Sequence, residues 1–257
     1  MKEINKRQLL FFRVKEIWFA DKIFDIDGYS SVIYRCCQHE ATVCGYEHFE
    51  SMTLVIDLTW DIKDIWSAFK ASSCRYEINR ASKYGIDVKL NQKYREFCDI
   101  YKVFRKNKKL HASLSFSPKF FMENGVLFIA ELNGEVLGGI FLIEDENVIR
   151  WVVGASKRLN VVDRAKARLI GCANRLMLWE AIKYAKNKGK KIFDFGGYAV
   201  NPGADDLCAI NMFKKSWGGA PVMRHDYVKD YSWCYRVCKK IYGIYGKIVD
   251  RIYTART

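Results

Sequence analysis

The stretch "KKIFDFGGYAVNPGADDLCAINMFKKSWGG", Lys190 to Gly219, decides the fold. It opens with an apolar strand whose one acid is Asp194, and that strand stops at Gly196 and Gly197. A polar loop follows, then a short helix ending in Lys214 and Lys215, then Gly218 and Gly219. Strand, loop, helix and break lie within one short segment, so strands and helices alternate here rather than forming separate blocks.

Working outward toward the N-terminus, "CANRLMLWEAIKYAKNK" carries Leu178, Ala181, Ile182 and Ala185 on one helical face and ends at Gly189. It predicts a helix from about Asn174 to Lys188. Before it, "VLFIAEL", the pair Asn133-Gly134 and "EVLGGIFLIE" predict a hairpin, because Asn-Gly supplies the two positive φ angles of a tight turn. "NVIRWVVGAS" predicts a third strand. "SPKFFMENG" predicts a short helix capped by Ser117, with Pro118 at its first position, and "QKYREFCDIYKVFRKNKK" predicts an amphipathic one. Beyond the opening stretch, "APVMRHDYV" predicts a last strand. The order is helix, helix, three antiparallel strands, helix, strand, helix, strand, which is an α+β class with a mixed sheet.

Further upstream, "TLVIDL" predicts a buried strand, and Asp61 can cap a helix carrying Ile62, Ile65, Trp66 and Phe69. That helix is expected to run on through "CRYEINRASKYG" to Gly85, with "IDVKL" as a strand after it. A change of texture near Leu90 suggests domains over 1–90 and 91–228, with 229–257 as a basic amphipathic C-terminal helix.

Composition narrows the function. The 257 residues are half hydrophobic, enough for a sizeable core, and no apolar run approaches the roughly 20 residues of a membrane span. The first residues are charged throughout, unlike a signal peptide, and nine irregularly spaced cysteines suit reduced thiols in a cytoplasmic protein. A net charge of +14 favours an anionic partner. Cys36, Cys37, His39, Cys44 and His48 are metal-capable, but without the paired C-x2-C spacing of a zinc site they suit buried thiols and surface histidines, so no metal is expected. In the tail, Arg236, Lys240, Lys247 and Arg251 form a stripe beside Val237, Ile241, Ile244, Ile248 and Ile252. Such a helix can lie on the inner face of an anionic membrane, though Gly243 and Gly246 weaken it, or it can be a last helix packed on the body, the reading favoured here.

Four stretches together resemble the Fem family of the GNAT acyltransferase superfamily. They are "TLVIDLTWDIKDIWSAFKASSCRYEINRASKYGIDVKL", "CANRLMLWEAIKYAKNKGKKIFDFGG", "INMFKKSWGG" and, less specifically, "ELNGEVLGGIFLIE". The resemblance implies a GNAT-like mixed sheet flanked by helices, with a reduced N-terminal GNAT-like partner domain. In that sheet the third and fourth strands of the later domain splay apart, and the acyl donor sits in the gap. It implies an N-acyltransferase acting on the amine of an amino sugar or related compound in bacterial surface-polysaccharide or cell-envelope assembly. The donor is a thioester, either acyl-CoA or an acyl carrier protein, and no cofactor is tightly bound. An aminoacyl-tRNA donor, as in the bridge-forming members, is the alternative; the short first domain and the missing coiled-coil arm argue against it. A basic RNA- or membrane-binding module is a rival from another class, but no RNA-binding signature supports nucleic acid as a partner.

Residue roles follow. Asp194 can bind the acceptor ammonium and take its proton, or it can cap the loop at Gly196-Gly197. Lys214 falls at the Lys of the family's "F-K" element and can steady an oxyanion, with Phe213 and Trp217 of that element against substrate. The family binds donor pyrophosphate before its central helix, which here implies Arg164, Arg168, Gly171, Asn174 and Arg175. Arg75 and Arg80 can meet a phosphorylated substrate, or Arg80 can pair with Glu77 on a solvated face.

Overall fold

The computed structural model describes residues 1–8, 11–108, 116–203 and 205–241. In chain order the strands and helices begin with β1 (Lys2–Gln8), β2 (Phe12–Trp18), β3 (Ser31–Cys37) and β4 (Glu47–Asp57). Next come α1 (Ile62–Ala68), α2 (Tyr76–Lys83), β5 (Asp87–Leu90), α3 (Tyr94–Asn107) and α4 (Pro118–Asn124). The hairpin region holds β6 (Val126–Leu132), β7 (Glu135–Glu144) and β8 (Val148–Ser156). The remainder is α5 (Arg164–Asn187), β9 (Ile192–Gly197), α6 (Asp205–Lys215), β10 (Ala220–Asp230) and α7 (Trp233–Ile241).

The chain folds as two units, one of residues 1–54, 197–213 and 220–257, the other of 55–196 and 214–219. The division therefore falls at Leu54, inside β4, and not near Leu90; residues 55–90 go with the second unit because α2 packs along α5 and β5 pairs with β6. The last strand, grouped by sequence with the later domain, belongs to the first unit, where it pairs with β3.

In the first unit the strand order is β1-β2-β3-β10-β4, with β2 and β3 parallel and β3 and β10 antiparallel. Its core gathers Ile17, Val32, Tyr34 and Tyr227 on one side and Val14, Ile33, Val228 and Tyr235 on the other. α7 is fastened by Lys239, whose ammonium pairs with Asp230 at 2.7 Å and lies over the Tyr235 ring. Its outward side carries Trp233, Val237 and Ile241. Of the amphipathic helix expected over 229–257, Trp233–Ile241 is seen as helix, and residues 242–257 lie outside the described residues.

In the second unit the order is β9-β8-β7-β6-β5, with the end of β4 beyond β9. β8 and β9 run parallel and the other pairs antiparallel, so the sheet is mixed as expected. The β6–β7 turn is the one Asn-Gly predicts, with positive φ at Asn133 (49°) and Gly134 (81°). Ser117 caps α4 by accepting from the Phe120 amide at 3.1 Å. α5 lays Ile170, Ala173, Met177, Ala181 and Ile182 against the sheet. Phe97, Phe121 and Phe141 fill the side covered by α3 and α4.

Two helices depart from their sequence expectations. The helix begun at Ile62 does not continue to Gly85: Phe69 turns to extended backbone (φ −69°, ψ 138°), and a five-residue π turn, Ala71–Arg75, precedes α2. The break is stabilised from outside the helix, since the Lys70 amide donates to the Ser216 carbonyl at 2.8 Å and the Phe69 ring is buried against Trp217 and Trp179. The central helix starts at Arg164, ten residues before the expected Asn174, because Asp163 caps it through the Ala165 amide at 2.8 Å.

The strands β8 and β9 pair only at Val148↔Ile192, Ile149↔Phe193 and Arg150↔Asp194. Beyond that last pair β8 runs on to Ser156 while β9 turns away. Two local devices produce the parting. A bulge in the β7–β8 pairing, with Phe141 opposite Val153 and Leu142 opposite Trp151, bends β8 just past Arg150. Gly196 turns β9 with φ +77°, where a Cβ would stand 3.1 Å from the Trp151 carbonyl oxygen. Gly196→Ala is expected to cost about 1–2 kcal/mol of stability, read as a lower midpoint in urea; an unchanged midpoint would show that the turn does not need glycine.

Candidate active site

Asp194 lies on β9 between Phe193 and Phe195, and all three are buried. Its Oδ2 accepts from Arg150 Nη1 at 2.7 Å and its Oδ1 accepts from the Gly196 amide at 2.7 Å. With no exposed surface and both oxygens engaged inside the protein, the carboxylate orients Arg150 and caps the glycine turn. That matches the capping role; a carboxylate so enclosed is not presented to an incoming amine.

Arg150 is the residue that sequence reasoning missed. Its side chain is 13% exposed and stands directly across from Asp194 in the last pair of the β8–β9 ladder. The available signal was a lone charge in the otherwise apolar "NVIRWVVGAS", mirroring the lone acid in "KIFDFGG".

Lys214 is also buried. Its pKa is lowered to about 8, chiefly because burial penalises the ammonium and next because Arg150 repels it, while Asp194 acts in the opposite sense. Both groups that act on Lys214 thus come from the place where the two strands part. Two cations and one carboxylate in a buried setting can stabilise a developing negative oxygen, and an amine poised near pH 8 can exchange a proton there.

The other expected residues separate into two groups. Trp217 is fully buried among Phe69, Phe195 and the Arg175 guanidinium, so it is a core residue and does not reach a substrate. Arg175 is buried too, committed to Glu77 at 2.5 Å and Ser216 at 2.8 Å. Since α5 starts at Arg164, Asn174 and Arg175 are mid-helix and offer no free backbone amide to a phosphate; the Asn174 side chain approaches the Ser156 hydroxyl at 3.4 Å. Arg164 and Arg168 are exposed in the first two turns, and Arg158 lies over Gly171. Lys157 and Lys166 are held by Glu135 at 3.0 and 2.9 Å.

Arg80 bonds the Tyr84 hydroxyl at 2.9 Å, and Glu77 goes to Arg175 in place of the Arg80 pairing weighed from spacing. The Nε of Arg75 is buried without a hydrogen-bond partner among the described residues. Phe213, half-buried, precedes Lys214 at the end of α6, and Asn211 on the same helix clamps the loop by bonding both the amide (3.2 Å) and carbonyl (2.7 Å) of Ala199. The cysteines are free thiols, five of them buried, and no helix among the described residues is long and apolar enough to cross a membrane.

No protein-family model matches this sequence, and no curated protein sequence matches it. Solved structures do. FemX aligns with a TM-score of 0.63 at 13% identity, over 93% of this chain and 86% of FemX. L-PGS from Bacillus licheniformis aligns with a TM-score of 0.51 at 16% identity, over 84% of this chain and 73% of that one. A conserved protein of unknown function from Bacteroides thetaiotaomicron gives 0.52 at 12% identity, over 77% and 69%. In fold, this mixed sheet flanked by helices is similar to those of FemX and L-PGS.

Proposed function

We propose that the protein transfers an acyl group to an amine, with the donor carbonyl held where β8 and β9 part. The observation that supports this most is the end of the strand ladder at Arg150↔Asp194 together with a buried Lys214 tuned by both residues. The amine lone pair attacks the thioester carbonyl carbon, a C–N bond forms, and the carbonyl π electrons move to oxygen. Collapse of that oxyanion expels the thiolate, and the new ammonium loses its proton to solvent. The Lys214 ammonium faces the oxyanion, and Arg150, fixed by Asp194, keeps the surroundings cationic.

The donor in this reading is acyl-CoA or an acyl carrier protein, and the acceptor is an amino sugar of the cell envelope, modified in the cytoplasm at the inner membrane face. Arg164 and Arg168 at the α5 start, where the first turn holds no acid, suit the phosphates of such a donor. An aminoacyl-tRNA donor is the second reading. It is favoured by the extent of the likeness to FemX, 86% of whose length this chain spans, so a short chain is no argument against it.

Incubation of the full chain with acyl-CoA, acyl carrier protein or aminoacyl-tRNA, each with amino-sugar nucleotides, separates these by product mass. A new amide from a thioester is the expected result. A product formed only from aminoacyl-tRNA selects the second reading. Steeply salt-dependent RNA binding with no product from any donor overturns both in favour of a binding module.

A further inference from the structure

His48 and Glu50 are two residues apart on β4, so their side chains leave the same face. β10 is the neighbouring strand in the first unit and brings His225 to them. The Nε2 of His48 stands 2.9 Å from the Nδ1 of His225, and the three ligand-capable atoms of His48, Glu50 and His225 all lie within 4.8 Å of one another. His48 is exposed, as expected of a surface histidine, but it lies beside two further metal-capable side chains.

The arrangement is held in place. The His48 ring stacks on Tyr227, with centroids 4.8 Å apart and planes within 10°, and on His225 at 5.1 Å. The β3–β10 pairing slips between His225 and Tyr227, and a bulge of this kind re-aims the side chain it carries. His225 is buried, Glu50 half-buried and His48 exposed, so one side of the cluster is open to water.

The local electrostatics oppose those of the whole chain. Glu50, Glu40 and Asp226 all act on His225, within a protein of net charge +14. Cys37, opposite His225 in the β3–β10 register, is pushed up to about 12 by burial and stays a thiol.

We propose that His48, Glu50 and His225 bind one divalent first-row transition metal through two imidazole nitrogens and a carboxylate, with water in the remaining positions. Two histidines and one carboxylate with open positions suit zinc, iron or manganese. At metal–nitrogen distances of about 2.1 Å, nitrogens this close subtend roughly 90°, nearer octahedral than tetrahedral geometry. The bound ion would join β4 to β10 within the first unit, and the site does not depend on acyl transfer.

The test uses the full chain stripped with a chelator and titrated with Co²⁺ and Zn²⁺. One equivalent of saturable binding is expected. Because loss of even an outer partner of a metal site costs about 10–100-fold, His48→Gln and His225→Gln should each weaken binding by more than tenfold, Glu50→Gln should weaken it as well, and exposed His39→Gln should not. Ring ¹⁵N spectra of the unaltered chain supply a readout that no variant can confuse: Zn²⁺ should shift two of its four histidines. The proposal is overturned by the absence of one-to-one binding, by binding that survives the double histidine variant, or by shifts at other rings.

Discussion

Lys214→Met is expected to raise the stability of the protein by roughly 3 kcal/mol at pH 7 while removing transfer. Burial and Arg150 bring the Lys214 pKa from its usual 10.5 to about 8. At about 1.4 kcal/mol per unit, that displacement is the cost of keeping a charged amine where it lies. The sign fixes the pH window. Below pH 8 the amine is charged in both folded and unfolded chains, and the full cost is present. Between 8 and 10.5 the folded amine is neutral while the unfolded one is charged, so the cost is relieved; above 10.5 it is gone. Wild-type stability should therefore climb across that window through this group, and the methionine variant should lack the climb. Urea unfolding at pH 7 and pH 10 measures both quantities. A variant less stable at pH 7 would show that Lys214 is held there by favourable contacts, not at a cost. A residue that destabilises the fold while serving the reaction is the usual trade-off at an active site.

Asp194→Asn should have the opposite effect on stability. It leaves Arg150, nearly buried, facing a neutral amide, and breaking one side of such a pair costs about 3–5 kcal/mol. Replacing both members by apolar residues, Arg150→Met with Asp194→Leu, should recover most of the loss, because no buried charge is then stranded. Asp194 also supports the Lys214 ammonium, so in the asparagine variant the Lys214 pKa should fall below 8. If Asp194 were also the general base, the asparagine variant would remain slow at pH values where Lys214 is still fully charged, whereas a purely supporting carboxylate would leave the rate there largely intact. Transfer rates and NMR titration of the lysine amine, with urea unfolding on the same samples, separate the two roles for Asp194.

Much of the second unit is legible in its sequence because its signals are local. Asn133-Gly134, Ser117-Pro118 and the Gly189 stop each act within a few residues, and each is found where expected. The N-terminal strands are harder to see. β1 and β2 are rich in charge, and Lys6, Lys15, Glu3 and Glu16 pair across the hairpin region, so little of their face reads as apolar. Likewise Phe69 looks like one more position on a helix face until Ser216 draws the backbone out of it. The candidate site was legible only in part, for the same reason. Asp194 and Lys214 could be picked out by residue type, whereas Arg150, distant in sequence and brought opposite Asp194 by parallel pairing, could not. Trp217 and Arg175 sit in conspicuous motifs but are spent on packing and a buried ion pair. His225 shows no link to His48 until β10 is placed beside β4.

The pH dependence of single-turnover transfer, compared between the unaltered protein and Lys214→Arg, tests the central claim most directly. If the lysine ammonium faces the oxyanion where β8 and β9 diverge, the wild-type rate falls as pH rises through about 8, and the arginine variant, slower but permanently charged, shows no such fall. An identical limb in both proteins, or a native rate with methionine at 214, would contradict it.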